Sequence, residues 1–182
     1  MTHSQLVEVA VRWLRRYGCG VILSEQECAS GETPDAIGWK KQCRSVLVEC
    51  KVDRADFLAD RNKRWRMKSA TGLGCERFYM ATPGLIKLNE LPCGWGLLLC
   101  NRRNVQVEVP SADRNLRSAQ GLKLEMNLLL ASLRRVEIRI EPQTITEFLQ
   151  WKNRLVQYNG GIHPRELVPA SSETNQHLSD LS

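Results

Sequence analysis

Few of the devices that staple or anchor a small protein are present in this sequence. Its 182 residues include only three histidines, His3, His163 and His177, and all lie outside the stretch that holds the seven cysteines. No two of those cysteines form a Cys-x-x-Cys pair, which argues against a zinc site. Their odd number argues equally against a disulfide framework and for free thiols in a reducing compartment. No run reaches the roughly 18 apolar residues of a membrane span. The richest stretch, Gly94 to Cys100, is far too short. The N-terminus lacks the basic, apolar and small-residue series of a secretory signal, so the expectation is a cytoplasmic protein with no membrane partner. Internal repeats are missing too, which sets aside solenoids and propellers.

What is present suits one hydrophobic core. Hydrophobic residues make up 42% and charged residues 25%, enough apolar material to offset the ordering entropy of the bulk of the chain. Basic residues outnumber acidic ones, 26 to 20, for a net charge of +6. From Gly160 onward Arg165 faces Glu166, Glu173 and Asp180, so the first 159 residues carry +8. A basic body suits a polyanionic partner. The expected organisation is a domain over 1–159, with a core over about 1–110 and an elaboration over 111–159. A flexible tail rich in Ser, Pro, Asn and Gln is expected over 160–182.

Hydrophobic spacing divides the chain into elements. Leu6, Val9, Ala10, Trp13, Leu14 and Tyr17 recur at helical intervals behind a Thr2/Gln5 capping box, and Gly18 and Gly20 end that helix. Strands are expected at Val21–Leu23, Pro34–Trp39 and Ser45–Val52, the last two paired as a hairpin. Asp53 caps a helix expected to run to about Lys68. Further strands are expected at Arg77–Ala81, Gly94–Cys100, Val105–Val109 and Val136–Ile140. Leu122, Met126, Leu129 and Leu133 share a helical face, for which core packing is the default reading, and Thr144 with Glu147 opens a last helix through Tyr158.

The chemistry concentrates in the hairpin. Asp35 follows Pro34, and Glu49-Cys50-Lys51 begins fourteen residues later, at the end of an otherwise apolar strand. Strand alternation sends Glu49 and Lys51 to one face and Cys50 to the other. Cys50 is therefore expected to be a packed thiol and not a nucleophile. If the two strands pair, Asp35 approaches Glu49. Together with a main-chain carbonyl such as that of Cys50, these two carboxylates form the hard oxygen set that hydrated Mg²⁺ accepts. Such a site supports phosphodiester hydrolysis, with Lys51 acting on the water or on developing charge. An isolated E-x-K triplet is more simply a surface ion pair. The apolar strand around it and the Pro-Asp before it shift that balance, since charge on a buried strand needs a reason.

Pro34-Asp35 and Glu49-Cys50-Lys51 resemble the motif of the PD-(D/E)XK nuclease superfamily. Glu25, Arg54-Ala55-Asp56-Phe57, Asp60-Arg61 and Cys75-Glu76-Arg77-Phe78-Tyr79-Met80-Ala81 extend the resemblance to the bacterial DNA-repair endonucleases of the MmcB type, over roughly the first 100 residues. The resemblance implies an α/β fold with a restriction-endonuclease-like core, a central mixed sheet of four to five strands flanked by helices. It also implies acidic ligands at Glu25, Asp35 and Glu49, with Lys51 as the catalytic lysine and Mg²⁺ as cofactor, Mn²⁺ substituting. Glu8, a competing first carboxylate, lies opposite the apolar stripe of its helix and reads as exposed.

Arg54, Arg61, Lys63, Arg64, Arg66 and Lys68 form a basic series beside this site that could track a DNA backbone. A solvated face with Asp56 and Asp60 as local partners is the simpler alternative. Those two aspartates could instead stand behind Lys51. Trp39 and Trp95 are expected in the core, and Trp65 is expected to pack, not to stack on a base. Two other functions remain open from the residues, a non-cleaving nucleic-acid-binding or assembly module on the same fold and an RNA-processing nuclease. A homodimer and a protein partner for the C-terminal region also remain open.

Overall fold

The computed structural model describes residues 1–63, 72–101, 104–112 and 119–139, with residues 146 and 149. The chain divides into two compact units, Met1–Ser132 and Leu133–Ser182. The α-helices and strands of the described residues follow in the order α1 (His3–Arg16), β1 (Val21–Ser24), β2 (Ala36–Trp39), β3 (Ser45–Lys51), α2 (Arg54–Arg61), β4 (Glu76–Ala81), β5 (Gly96–Asn101), β6 (Asn104–Val109) and α3 (Ala119–Arg139). The turns of α3 from Leu133 onward belong to the second unit.

The strands form one mixed sheet in the order β1-β2-β3-β4-β5-β6. Antiparallel pairs at its flanks, β1/β2, β2/β3 and β5/β6, enclose a parallel centre of β3, β4 and β5. Six strands replace the expected four to five, because the β5/β6 hairpin pairs along the edge that β4 would otherwise leave open.

Every residue of β3 and β4 is buried, as befits parallel strands covered on both faces. Alternation sorts their side chains into two layers. Val46, Val48, Cys50, Phe78 and Met80 pack with Leu6, Ala10 and Leu14 of α1. Leu47, Tyr79 and Ala81 pack with Phe57 of α2 and with Leu124 and Leu128 of α3. Leu47 is completely enclosed, so truncating it to alanine would cost about 2–5 kcal/mol.

Local chemistry sets the ends of the helices. Thr2 and Gln5 close a reciprocal capping box on α1, and Glu8 is exposed as its wheel position requires. Asp53 accepts from the amides of Ala55 and Asp56 to start α2. That helix ends at Arg61 and not near Lys68. The Asn62 amide group takes the Leu58 carbonyl at 3.1 Å, competing with the backbone for its acceptors. Gly38 admits the α1–β1 connection, since a Cβ there would stand 2.8 Å from the Cys19 side chain.

Two expectations about α3 are overturned. Helix continues through Val136–Arg139, where a strand was expected. Among its described side chains α3 buries Leu124, Glu125 and Leu128, and Leu129 of the expected face is partly buried against the same core, whereas Leu122, Met126 and Leu133 are exposed. Glu125 supplies the reason. It accepts from Trp39 Nε1 at 3.1 Å, Ser45 Oγ at 2.8 Å and the Gly74 amide at 3.0 Å, and so turns this side of the helix to the sheet. Trp39 and Trp95 are buried, as expected. Of the expected last helix Thr146 and Leu149 are described, both helical and exposed, whereas Trp65, Arg64, Arg66, Lys68 and the tail lie outside the described residues.

Candidate active site

The β2/β3 register pairs Ala36 with Val48, so Asp35, one residue earlier, stands across from Glu49. Asp35 Oδ2 accepts the Cys50 amide at 2.7 Å. This carboxylate thereby extends the hydrogen-bonded ladder one step past the end of β2. In a strand the N–H and C=O of one residue leave the same edge, so the Cys50 carbonyl faces this side as well. Its thiol lies in the α1 layer, fully buried. Burial and the neighbouring carboxylates push that thiol well above the ordinary cysteine range, which suits packing and not attack.

Burial also raises the Asp35 carboxyl above its usual value, offset in part by the Cys50 amide and by the charges of His3 and Lys51. His3, at the first turn of α1, brings Nε2 to 3.3 Å from Asp35 Oδ1. The sequence reading passed over His3. Only the packing of α1 on the sheet brings it to a residue 32 positions away, and nothing in its own neighbourhood signals that contact.

Glu25 meets Asp35 through its backbone. Its amide is shared between the carbonyls of Pro34 and Asp35, at 3.1 and 3.2 Å, with φ at 52°. Its side chain is exposed.

Glu49 and Lys51 emerge on the α2 face of β3, 3% and 4% exposed. Two carboxylates of α2, one turn apart, meet the ammonium, Asp56 Oδ2 at 3.2 Å and Asp60 Oδ1 at 3.7 Å from Nζ. Burial alone would lower the pKa of Lys51. The charges of Asp60, Glu49, Asp56 and Asp35 outweigh that effect and raise it, so the side chain is an ammonium at neutral pH. Asp60 also accepts the Tyr79 hydroxyl at 2.9 Å and pairs with Lys63 at 2.8 Å. Tyr79 stands beside Glu49 in the β3/β4 register.

The basic series has mixed engagements. Arg54 donates to Glu90 and to the Leu85 carbonyl, and so ties the start of α2 to the loop after β4. The hydrogen bonds of that pair hold the Glu90 carboxyl down at about 2. Arg61 is half-buried in the last turn of α2, and Lys63 is exposed except for its contact with Asp60.

The donor set of two carboxylates from opposed positions of paired strands and a carbonyl fits a hydrated Mg²⁺ ion, which binds through one or two carboxylates and keeps several waters. Among the described residues no three His, Cys, Asp or Glu side chains form a metal cage on their own. Nor, among them, is any helix long and apolar enough to cross a membrane.

No family model and no curated protein matches the sequence. Among solved structures, the SPO1766 protein of unknown function from Silicibacter pomeroyi is similar, with 24% identity and a TM-score of 0.59. The match covers 80% of this chain and 97% of that one, and the likeness is one of fold alone.

Proposed function

We propose that the chain is a Mg²⁺-dependent endonuclease that hydrolyses phosphodiester bonds in DNA, acting in repair, recombination or defence. One observation carries this reading. Asp35 stands across from Glu49 at the end of β3, its Oδ2 takes the Cys50 amide, and Lys51 follows with Asp56 and Asp60 beside it. Carboxylates gathered beside a main-chain carbonyl are the oxygen donors that a hydrated Mg²⁺ ion accepts.

Asp35, Glu49 and the Cys50 carbonyl would hold Mg²⁺, which when bound supplies Lewis-acid polarisation of the phosphate and of an attacking water. The remaining work belongs to the chain. Lys51 orients the attacking water and, as an ammonium, gives hydrogen bonds and positive charge to a phosphate whose negative charge grows during attack. Packing on both faces of β3 keeps bulk water from the inner side of the site, where these charges act more strongly. Lys63, Arg61 and the rest of the basic body attract the DNA backbone. Glu25 supports the site through the amide that holds the Pro34–Asp35 turn.

The test is cleavage of linear, nicked, single-stranded and branched DNA, with RNA of matched sequence, in Mg²⁺ or Mn²⁺. The expected result is metal-dependent cutting of DNA that Asp35→Asn abolishes and Lys51→Ala lowers by about 1,000-fold, to a rate still measurable, while binding persists. Binding by the folded protein without cutting of any substrate would instead favour a non-cleaving module.

A further inference from the structure

Asp56 and Asp60 both approach Lys51, but they are not equivalent. Asp56 is 53% exposed, whereas the Asp60 side chain is fully buried. An exposed carboxylate is screened and free to turn to solvent, and such a pair contributes little fixed geometry. Asp60 is held at both oxygens, Oδ2 by the Tyr79 hydroxyl and Oδ1 by Lys63, with Lys51 beyond.

The hydroxyl that holds it is itself fixed. Tyr79 has no exposed surface, stacks on Trp95 with centroids 4.5 Å apart, and takes Phe57 edge-on at 5.1 Å. Phe57 belongs to α2, so one ring locates the helix by its face and Asp60 by its hydroxyl. Tyr79 also flanks Glu49 on the neighbouring strand. Glu49, Tyr79, Asp60 and Lys51 thus form one connected unit across β3, β4 and α2.

We propose that Asp60, braced by the Tyr79 hydroxyl, is the positioning residue that fixes the Lys51 ammonium against the Asp35–Glu49 pair. The inference rests on the nuclease reading above for its catalytic consequence, but not for its geometry. Asp60 touches no reacting atom and acts through Lys51. Small misplacements of a catalytic group are costly, about a hundredfold per ångström.

Two measurements test it. In the first, DNA cleavage by Asp60→Asn, Tyr79→Phe and Asp56→Asn is split into kcat and KM, with Asp60→Asn repeated in a Lys51→Met background. The expected result is a kcat loss of about 10- to 100-fold for Asp60→Asn with KM nearly unchanged. Tyr79→Phe gives a smaller loss of the same kind and Asp56→Asn the smallest. In the Lys51→Met background Asp60→Asn costs nothing more. In the second, ¹⁵N-lysine NMR follows the Lys51 ammonium, whose cross-peak position and intensity report how firmly it is held. With Asp60 3.7 Å from Nζ, both are expected to change in Asp60→Asn and in Tyr79→Phe. Tyr79→Phe removes one oxygen and keeps the ring stack, so it serves should Asp60→Asn not fold.

Natural kcat and an intact cross-peak in Asp60→Asn and Tyr79→Phe would overturn the proposal and leave the nuclease reading standing. So would an Asp60→Asn loss just as large in the Lys51→Met background. If the natural protein cuts nothing, the nuclease reading falls, and the cross-peak, which needs no substrate, still decides whether Asp60 holds Lys51.

Discussion

The parallel pair β3/β4 carries a buried cluster of charge at each of its ends, and the two are built on opposite plans. Where the strands begin, Glu76 accepts the Tyr17 hydroxyl at 2.7 Å and the Lys40 ammonium at 2.9 Å, with Arg44 at 3.7 Å. One carboxylate meets two cations. Lys40 also lies 3.6 Å from the Tyr17 ring centroid. Burial and the bond to Glu76 push the Tyr17 hydroxyl up to about 12, so it remains a neutral donor. Where the strands end, four carboxylates act on Lys51, with Lys63 at Asp60 and His3 at Asp35. The first gathers cations around one carboxylate, and the second gathers carboxylates around one cation. Buried charge alone is therefore a poor sign of a site, and several carboxylates gathered at one strand end are a better one.

Substitutions should separate the two ends by kind of effect. The largest is expected from Glu49→Gln, which should lower metal-dependent cleavage about 1,000-fold, whereas Glu76→Gln leaves the rate of the folded protein within about twofold. Kinetics on purified variants checks both. Next comes the response to the ion itself. Mg²⁺ or Mn²⁺ at about a hundred times its Kd should stabilise the natural protein by about 2.7 kcal/mol, a rise in Tm that Glu49→Gln removes and Glu76→Gln keeps. Glu76→Ala strands two cations that are only partly exposed, so urea unfolding should show a loss of about 2 kcal/mol. A loss below about 0.5 kcal/mol would mean that cluster is an ordinary surface pair.

The smallest effect depends on pH. The folded state raises the Asp35 carboxyl, so it holds that proton more tightly than the unfolded chain does. This group therefore costs the fold nothing below the ordinary aspartate range, and its cost grows as pH rises through the folded value. Without divalent ions, Asp35→Asn should be at least as stable as the natural protein at neutral pH. Unfolding curves at neutral and acid pH should show that gap closing below about pH 4. A gap that widens in acid would contradict the burial of Asp35.

Much of the sheet was legible because its signals are local. Seven residues from Ser45 to Lys51 alternate between two covered faces, and the two charges that interrupt the apolar run mark the place where they gather. Asp35 and Glu49 could be set opposite one another from hairpin length alone. The acidic pair on α2 could be placed near Lys51 by helical spacing, but not ranked, because the difference between them is the Tyr79 hydroxyl on another strand. Helix α3 was harder. Leucines lie on several of its sides, so periodicity could not choose a face, and the choice falls to hydrogen bonds from Trp39, Ser45 and Gly74 to Glu125. In Val136–Ile140 alternation mimics a strand. Helix and strand preferences of such residues differ by only tenths of a kcal/mol, too little to interrupt a helix already under way.

The strand order of the sheet is the order of the chain, and that has a kinetic consequence. Each ladder joins a strand to its immediate successor, so loop-closure entropy is paid in short steps. Asp35, Glu49, Lys51 and Asp60 all fall within 26 consecutive residues and can assemble while the chain is still being made. Tyr79 arrives only with β4. A chain arrested between α2 and β4 would hold its acidic side chains together but still in water, where their mutual repulsion is screened and the cost of enclosing them has not yet been met.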